Sequence, residues 1–242
     1  MPFFHSAHFI RLVLAVASLS FITQPAIAQE QTFNSWFAWF NNVKFSEKWG
    51  MNHDIQFRAG TDWGNYSMLL IRPGINYYVK ERHTAALGYA ATLATHELAT
   101  NARRLTEHRI WQQYIIGGTL FGVPVQHRFR LEQRFLERPD ETAFAQRARY
   151  FIRGIVPLSS HSTPSFRRGL FVSLQNELFF NIQNANATNG KWFDQNRAYA
   201  SLGFRFSERY DFETGYLHQF LLRNSTPHAV THVWQWAVYT RF

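Results

Sequence analysis

The chain of 242 residues contains no cysteine. Thiol catalysis, disulfides and cysteine-ligated zinc are thereby excluded, and an oxidising compartment entered without disulfides remains compatible. Long apolar runs are missing as well. Beyond the N-terminal segment there is no stretch of about 18 apolar residues, so no transmembrane helix is expected. Acidic residues are few, with 16 Asp and Glu against 25 Lys and Arg and a formal net charge of +9. A basic balance raises nucleic acid as a partner. Here the cations are spread singly along alternating segments instead of forming a patch, which argues against it. Anionic lipid headgroups, or a lumen that prefers anions, account for the charge better.

Aromatic residues are plentiful, at 17% with 24 Phe, 10 Tyr and 8 Trp. Mean hydropathy is nonetheless −0.29. The pattern explains the combination. Between Val123 and Pro157 the chain reads VPVQHRFRLEQRFLER, a polar break at Pro139 to Thr142, then AFAQRARYFIRGIVP. Arg128, Arg130, Glu132 and Arg134 share one face, against Phe129, Leu131 and Phe135. Arg147, Arg149 and Arg153 share a face against Ala148, Tyr150, Ile152 and Val156. A period of two over more than ten residues is that of extended strands. One oily and one ionic face suit a barrel wall with lipid outside and a polar lumen inside.

Residues 1–28 read as a secretory signal peptide. Arg11 precedes the apolar stretch Leu12 to Ile22, Pro25 follows, and Ala26-Ile27-Ala28 forms a small-x-small cleavage site. The mature chain is expected to begin at Gln29 and to form one domain, residues 29–242. Eleven candidate strands lie near 33–45, 49–60, 66–79, 83–95, 104–117, 123–138, 144–157, 168–183, 195–206, 210–223 and 230–242. The expected fold is all-β, a single antiparallel transmembrane barrel. Bacterial single-chain barrels have even strand counts, so ten or twelve strands are expected. Tight turns at Phe45–Trp49, Val79–His83, Gly117-Gly118 and Phe206–Tyr210 alternate with longer links at Thr95–Arg103, Asn184–Asp194 and Arg223–Ala229. The link at Leu158–Arg167 is long for its side. The end of the chain, WQWAVYTRF, puts Trp234, Trp236, Val238, Thr240 and Phe242 on one face. Tryptophans near strand ends suit interfacial girdles, whereas Trp111 falls among inward residues.

A terminal aromatic on an alternating strand resembles the signal by which barrel-insertion machinery recognises its clients, which places Phe242 in the periplasm. WFAWFNNVKFSEKW, ERHTAALGY, EHRIWQQY, RFRLEQRF, RARYFIRG, QNELFF, FDQNRAYASLGFRF and GYLHQ together resemble the domain of unknown function 2490 family. The resemblance spans nearly the whole mature chain. It implies a bacterial outer-membrane barrel, and it carries over neither an activity nor catalytic residues.

The two faces of each hairpin must match, which restricts the register to one parity. Glu132 is then expected opposite or diagonal to Arg149, Arg109 near Glu132, Glu107 near Arg134 and Glu177 near Arg149. Across the FSERY turn Arg205 faces Asp211, with Glu213 diagonal. A ladder Arg109, Glu132, Arg149, Glu177 is expected around the wall. Such a network either fills a narrow barrel or forms a constriction that selects small anions, given the excess at Arg128, Arg130, Arg134, Arg147, Arg149 and Arg153. Asn196, Arg197 and Gln219 are further inward or rim positions, which could line a solute site.

The constellations of barrel enzymes are missing. None of the eleven His is followed at +2 by Ser, and neither D-x-D nor D-x-H occurs. His53/Asp54 and His96/Glu97 are adjacent and point to opposite faces, unlike metal ligands. His108, His127, His218 and His232 fall on the outward phase. No cofactor is called for. The reading is an outer-membrane barrel of a Gram-negative bacterium, structural or a narrow pore for small solutes, anions among them. Its partners are outer-membrane lipids and lipopolysaccharide. The alternatives are a barrel enzyme acting on lipid and an envelope assembly partner. Composition and pattern leave the oligomeric state open.

Overall fold

In the computed structural model, eleven strands close into one barrel. The structure describes residues 30–60, 66–98, 101–158, 166–224 and 228–242. Residues 1–28, expected to form a signal peptide, and Trp63 lie outside them. The strands are β1 (Glu30–Lys44), β2 (Trp49–Gly60), β3 (Tyr66–Lys80), β4 (His83–Leu98), β5 (Asn101–Leu120) and β6 (Val123–Glu137). There follow β7 (Thr142–Pro157), β8 (Gly169–Gln183), β9 (Phe193–Ser207), β10 (Tyr210–Leu221) and β11 (Ala229–Arg241). A short 3-10 turn at Ala185–Ala187 is the one helical element among the described residues.

Every sequential pair is antiparallel, and β1 pairs with β11 in parallel. The expected count of ten or twelve is thus corrected to eleven. Strands that alternate up and down leave the first and last pointing the same way when their number is odd. The wall can then close only through a parallel pair, as it does in the 19-stranded mitochondrial barrel. The seam runs in register from Glu30↔Ala229 to Asn42↔Arg241. Both of its ends are tied by backbone hydrogen bonds. Glu30 N–H donates to the His228 carbonyl (3.1 Å), and Phe242 N–H donates to the Asn42 carbonyl (2.8 Å). Aromatic pairs cross the seam on both faces. Phe37 stacks on Trp236 outside, with centroids 4.7 Å apart, and Phe40 stacks on Tyr239 inside at 4.9 Å. Trp39 Nε1 donates to Thr240 Oγ1, which donates to Asn41 Oδ1. The parallel ladder, the weaker kind per residue, is therefore reinforced by side chains.

The connections after β1, β3, β5, β7 and β9 share one rim with Phe242. Those after the intervening strands share the other rim with Glu30. On the first rim, two residues suffice at Glu81–Arg82, Phe121–Gly122 and Glu208–Arg209. The turn expected at Gly117-Gly118 lies instead at Phe121–Gly122, because β5 continues to Leu120. Phe121 (φ 51°) and Gly122 (φ 79°) both adopt the left-handed conformation that a two-residue hairpin loop requires.

Side chains alternate across the wall as the pleat dictates. The outward face is apolar, with Phe33, Leu87, Leu93, Phe129, Leu202 and Trp234 among its exposed residues. The inward face is polar. Two tryptophans depart from a girdle. Trp111 is fully buried inside, where Gly74 and Gly88 face each other across β3 and β4. A Cβ on Gly88 would come within 2.2 Å of the Trp111 ring, so the glycines make room for the indole. Trp36 also points inward and is 5% exposed. Its strand parity places it opposite Arg58, which its nearness to a chain end did not indicate.

Candidate functional site

The inward face of β6–β9 carries the densest chemistry. Alternation along β6 and β7 presents Arg128, Arg130, Glu132 and Arg134 beside Arg147, Arg149 and Arg153, with Glu132 directly opposite Arg147 and Arg130 opposite Arg149. Glu132 is fully buried. Its carboxylate accepts from Arg147 Nε (2.9 Å) and Nη2 (2.7 Å), and from Arg149 Nη1. Arg149 turns its other edge to Glu177, through Nε (3.0 Å) and Nη2 (2.7 Å). Glu177 also accepts from Arg128 Nη2 (2.7 Å), and Arg147 Nη1 reaches Asp194 (2.9 Å). An unbroken ionic chain therefore runs Asp194–Arg147–Glu132–Arg149–Glu177–Arg128. Charge-assisted, forked contacts of this kind fix geometry as well as charge.

A second group is separate. Glu107 accepts from Arg109 on its own strand (2.8 and 2.7 Å) and from Arg134 across β5–β6. Arg109 stands near Glu132, as expected, but forms no ion pair with it among the described residues, because Trp111 holds the position opposite Glu132 and Arg109 bends back to Glu107, two residues away. The ladder thus breaks between Arg109 and Glu132. Toward the rim of Phe242, Asp211 accepts from Arg205 (2.8 and 2.9 Å) and from Arg241 (2.6 Å). Glu213 is not shared with Arg205. It is fully buried and pairs with Arg153, which leaves β7 and reaches over to β10. Arg153 also donates to Tyr239 Oη on β11 (2.9 Å), and the Ser173 and Ser201 hydroxyls donate to Glu213 (3.2 and 3.1 Å). This strut ties strands that are not neighbours.

Several participants escaped the sequence reading. Asp54 accepts from Arg72 Nε (2.8 Å), and Gln56 Oε1 accepts from Arg58 Nη2 (2.6 Å). Asp54, Gln56 and Arg58 stand two apart, so the same alternation would have flagged them. Asn196 turns outward and donates to Asn176 (2.9 Å), whereas Arg197 and Gln219 face the interior.

Aromatic rings carry the remaining cations. Arg147, Arg149 and Arg197 lie 5.1, 4.4 and 4.8 Å from the Phe179 ring. Arg58 and Arg197 lie 3.8 and 5.2 Å from Trp36, and Arg130 lies 4.8 Å from Trp111. Arg130 and Arg197 differ from the others. Among the described residues neither reaches a carboxylate, Arg130 donating only to the neutral Gln113. Arg130 Nη1 and Arg197 Nε are buried without a hydrogen-bond partner. Both side chains line a cavity of about 1280 Å³ whose lining includes Glu30 and Arg223 at one rim and Lys44 and Phe242 at the other. No three metal-ligating side chains converge among the described residues.

Comparison with known proteins places this geometry in a family. A model described as "Protein of unknown function (DUF2490)" matches residues 33–230, from β1 into β11. Neither the curated proteins nor the solved structures include a match. Since the matched region covers most of the chain and nearly all of the barrel wall, the chain belongs to the DUF2490 family.

Proposed function

We propose that this chain spans the bacterial outer membrane after removal of residues 1–28, and that its arginine-rich lumen passes small anionic solutes. The observation that carries the reading is the two-sided wall. An apolar outer face encloses a cavity lined by cations, two of which, Arg130 and Arg197, reach no carboxylate among the described residues.

The polar groups of the outer face support a lipid environment. They bond to one another across neighbouring strands. His127 pairs with Tyr150 (2.9 Å), His232 with Tyr216 (2.6 Å) and His108 with Tyr89. Gln112 and Gln133 exchange amide hydrogen bonds (3.1 and 3.2 Å). Hydrocarbon offers no water to satisfy such groups, so internal pairing is what it demands. The rim of tight turns fits the periplasmic side of such a barrel, where short turns are the rule. An eleven-stranded wall falls between the eight-stranded barrels that side chains fill and the sixteen-stranded porins that hold a wide channel. A narrow, cation-lined passage selects by charge.

The test is reconstitution of the refolded barrel in a planar bilayer under a potassium chloride gradient. Discrete conductance steps with an anion-selective reversal potential are expected. A barrel that inserts without conducting, or that prefers potassium, overturns the reading.

A further inference from the structure

We propose that the lumen holds a built binding site for a small oxyanion, a carboxylate or a phosphate, centred on Arg197 and walled by Trp36 and Phe179. The proposal rests on the lumen being accessible to solutes, as argued above. It goes further by naming one station within the lumen and the chemistry it takes.

Arg197 lies between two aromatic faces, 5.2 Å from Trp36 and 4.8 Å from Phe179. Stacking on rings occupies the faces of a guanidinium and leaves its N–H edge for a ligand. The surrounding cations are spoken for. Arg147 and Arg149 are held by Glu132, Asp194 and Glu177. Arg197 stands directly opposite Glu177 in the β8–β9 register, yet that carboxylate is taken by Arg128 and Arg149. Its buried Nε has no hydrogen-bond partner among the described residues, and the side chain lines the cavity. A buried N–H without an acceptor is costly, and a bound anion that accepts from it removes that cost.

The rest of the pocket suits a small solute. Arg58 covers the Trp36 ring at 3.8 Å and brings a second positive charge to the same indole. Gln219 donates to Gln195 (2.6 Å), and both amides line the cavity. Two coplanar oxygens match the planar fork of Arg197. A carboxylate and a phosphate both present them, and the two ring faces favour a ligand with a flat apolar body. The site is thus polar on one side and aromatic on the other.

Calorimetric titration of the refolded full-length barrel in detergent, at low salt, tests this with benzoate, acetate and inorganic phosphate in separate runs. Saturable binding of at least one of them is expected, with benzoate tighter than acetate if the rings contribute. Arg197→Gln should weaken binding tenfold or more, and Arg197→Lys should recover part of it. Lys191→Gln, on an exposed loop, should leave it unchanged. Because Arg197 makes no ion pair among the described residues, Arg197→Gln should still refold, which heat-dependent migration on gels reports. Absence of saturable binding to the folded wild-type barrel overturns the site, as does binding that Arg197→Gln leaves intact. Conductance without binding rejects the site and keeps the passage. Binding without conductance supports the site and rejects the passage.

Discussion

Replacing Glu132 by Gln probes the centre of the ionic chain. The substitution keeps shape and removes one charge. Wild-type Glu132 is fully buried and accepts three hydrogen bonds from two guanidinium groups. Breaking a buried ion pair by removing one partner costs about 3–5 kcal/mol, because the other charge is left uncompensated. Two features reduce that figure here. Arg147 retains Asp194 and Arg149 retains Glu177, and both guanidinium groups line the cavity. The expected loss is about 2–3 kcal/mol. With a urea dependence of about 3 kcal/mol per molar for a chain of this size, the unfolding midpoint should fall by about 0.7–1 M. Tryptophan fluorescence of the refolded barrel in detergent measures it, since Trp111 lies opposite Glu132. Glu141→Gln is the reference, because among the described residues Glu141 pairs only with Arg138, in an exposed loop. Exposed pairs contribute about 0–1 kcal/mol, so its midpoint should hardly move. Equal shifts for the two variants would refute the view that the Glu132 chain holds the wall together.

Other perturbations address packing, closure and topology. Gly88→Ala forces a Cβ to within 2.2 Å of the Trp111 ring and 2.3 Å of the Pro73 carbonyl. A loss of about 1–3 kcal/mol is expected, read as a lower temperature for the gel-mobility change of the folded barrel, and an unchanged temperature argues against the indole's placement. At the seam, a double-mutant cycle on Phe37→Ala and Trp236→Ala should give a coupling of about 0.5–1.5 kcal/mol. Zero coupling would count against β1 lying beside β11. The cysteine-free chain allows clean single-cysteine labelling. Asp140→Cys and Asn186→Cys should react with an impermeant maleimide on intact cells, and Glu47→Cys and Glu208→Cys only after permeabilisation. The opposite pattern would invert the proposed orientation.

The strands and the face each side chain takes were readable in advance because the pleat is local. A residue's neighbours two positions away decide whether it points in or out, and Arg128 to Arg153 kept the parity their spacing implied. Local too is the pairing across a short hairpin, so Glu107 meets Arg134 and Arg205 meets Asp211. Errors began where a second residue type competed for the same place. Trp111 took the position opposite Glu132 and sent Arg109 back to Glu107. Asn196, grouped with its neighbour Arg197, turned outward because adjacent residues on a strand must oppose each other.

Closure was beyond local reach. Ten, eleven or twelve strands satisfy the same alternation, and only the meeting of β1 with β11 selects among them. That meeting joins residues about 200 positions apart in sequence, through a parallel ladder that no turn specifies. The same holds for Arg153, whose partner Glu213 lies across the lumen on β10, and for Arg197, which meets the Trp36 ring of β1. Alternation along the chain divided the residues between two environments. The curvature of the closed wall then chose which inward residues converge, because distance across a lumen depends on every strand in the ring.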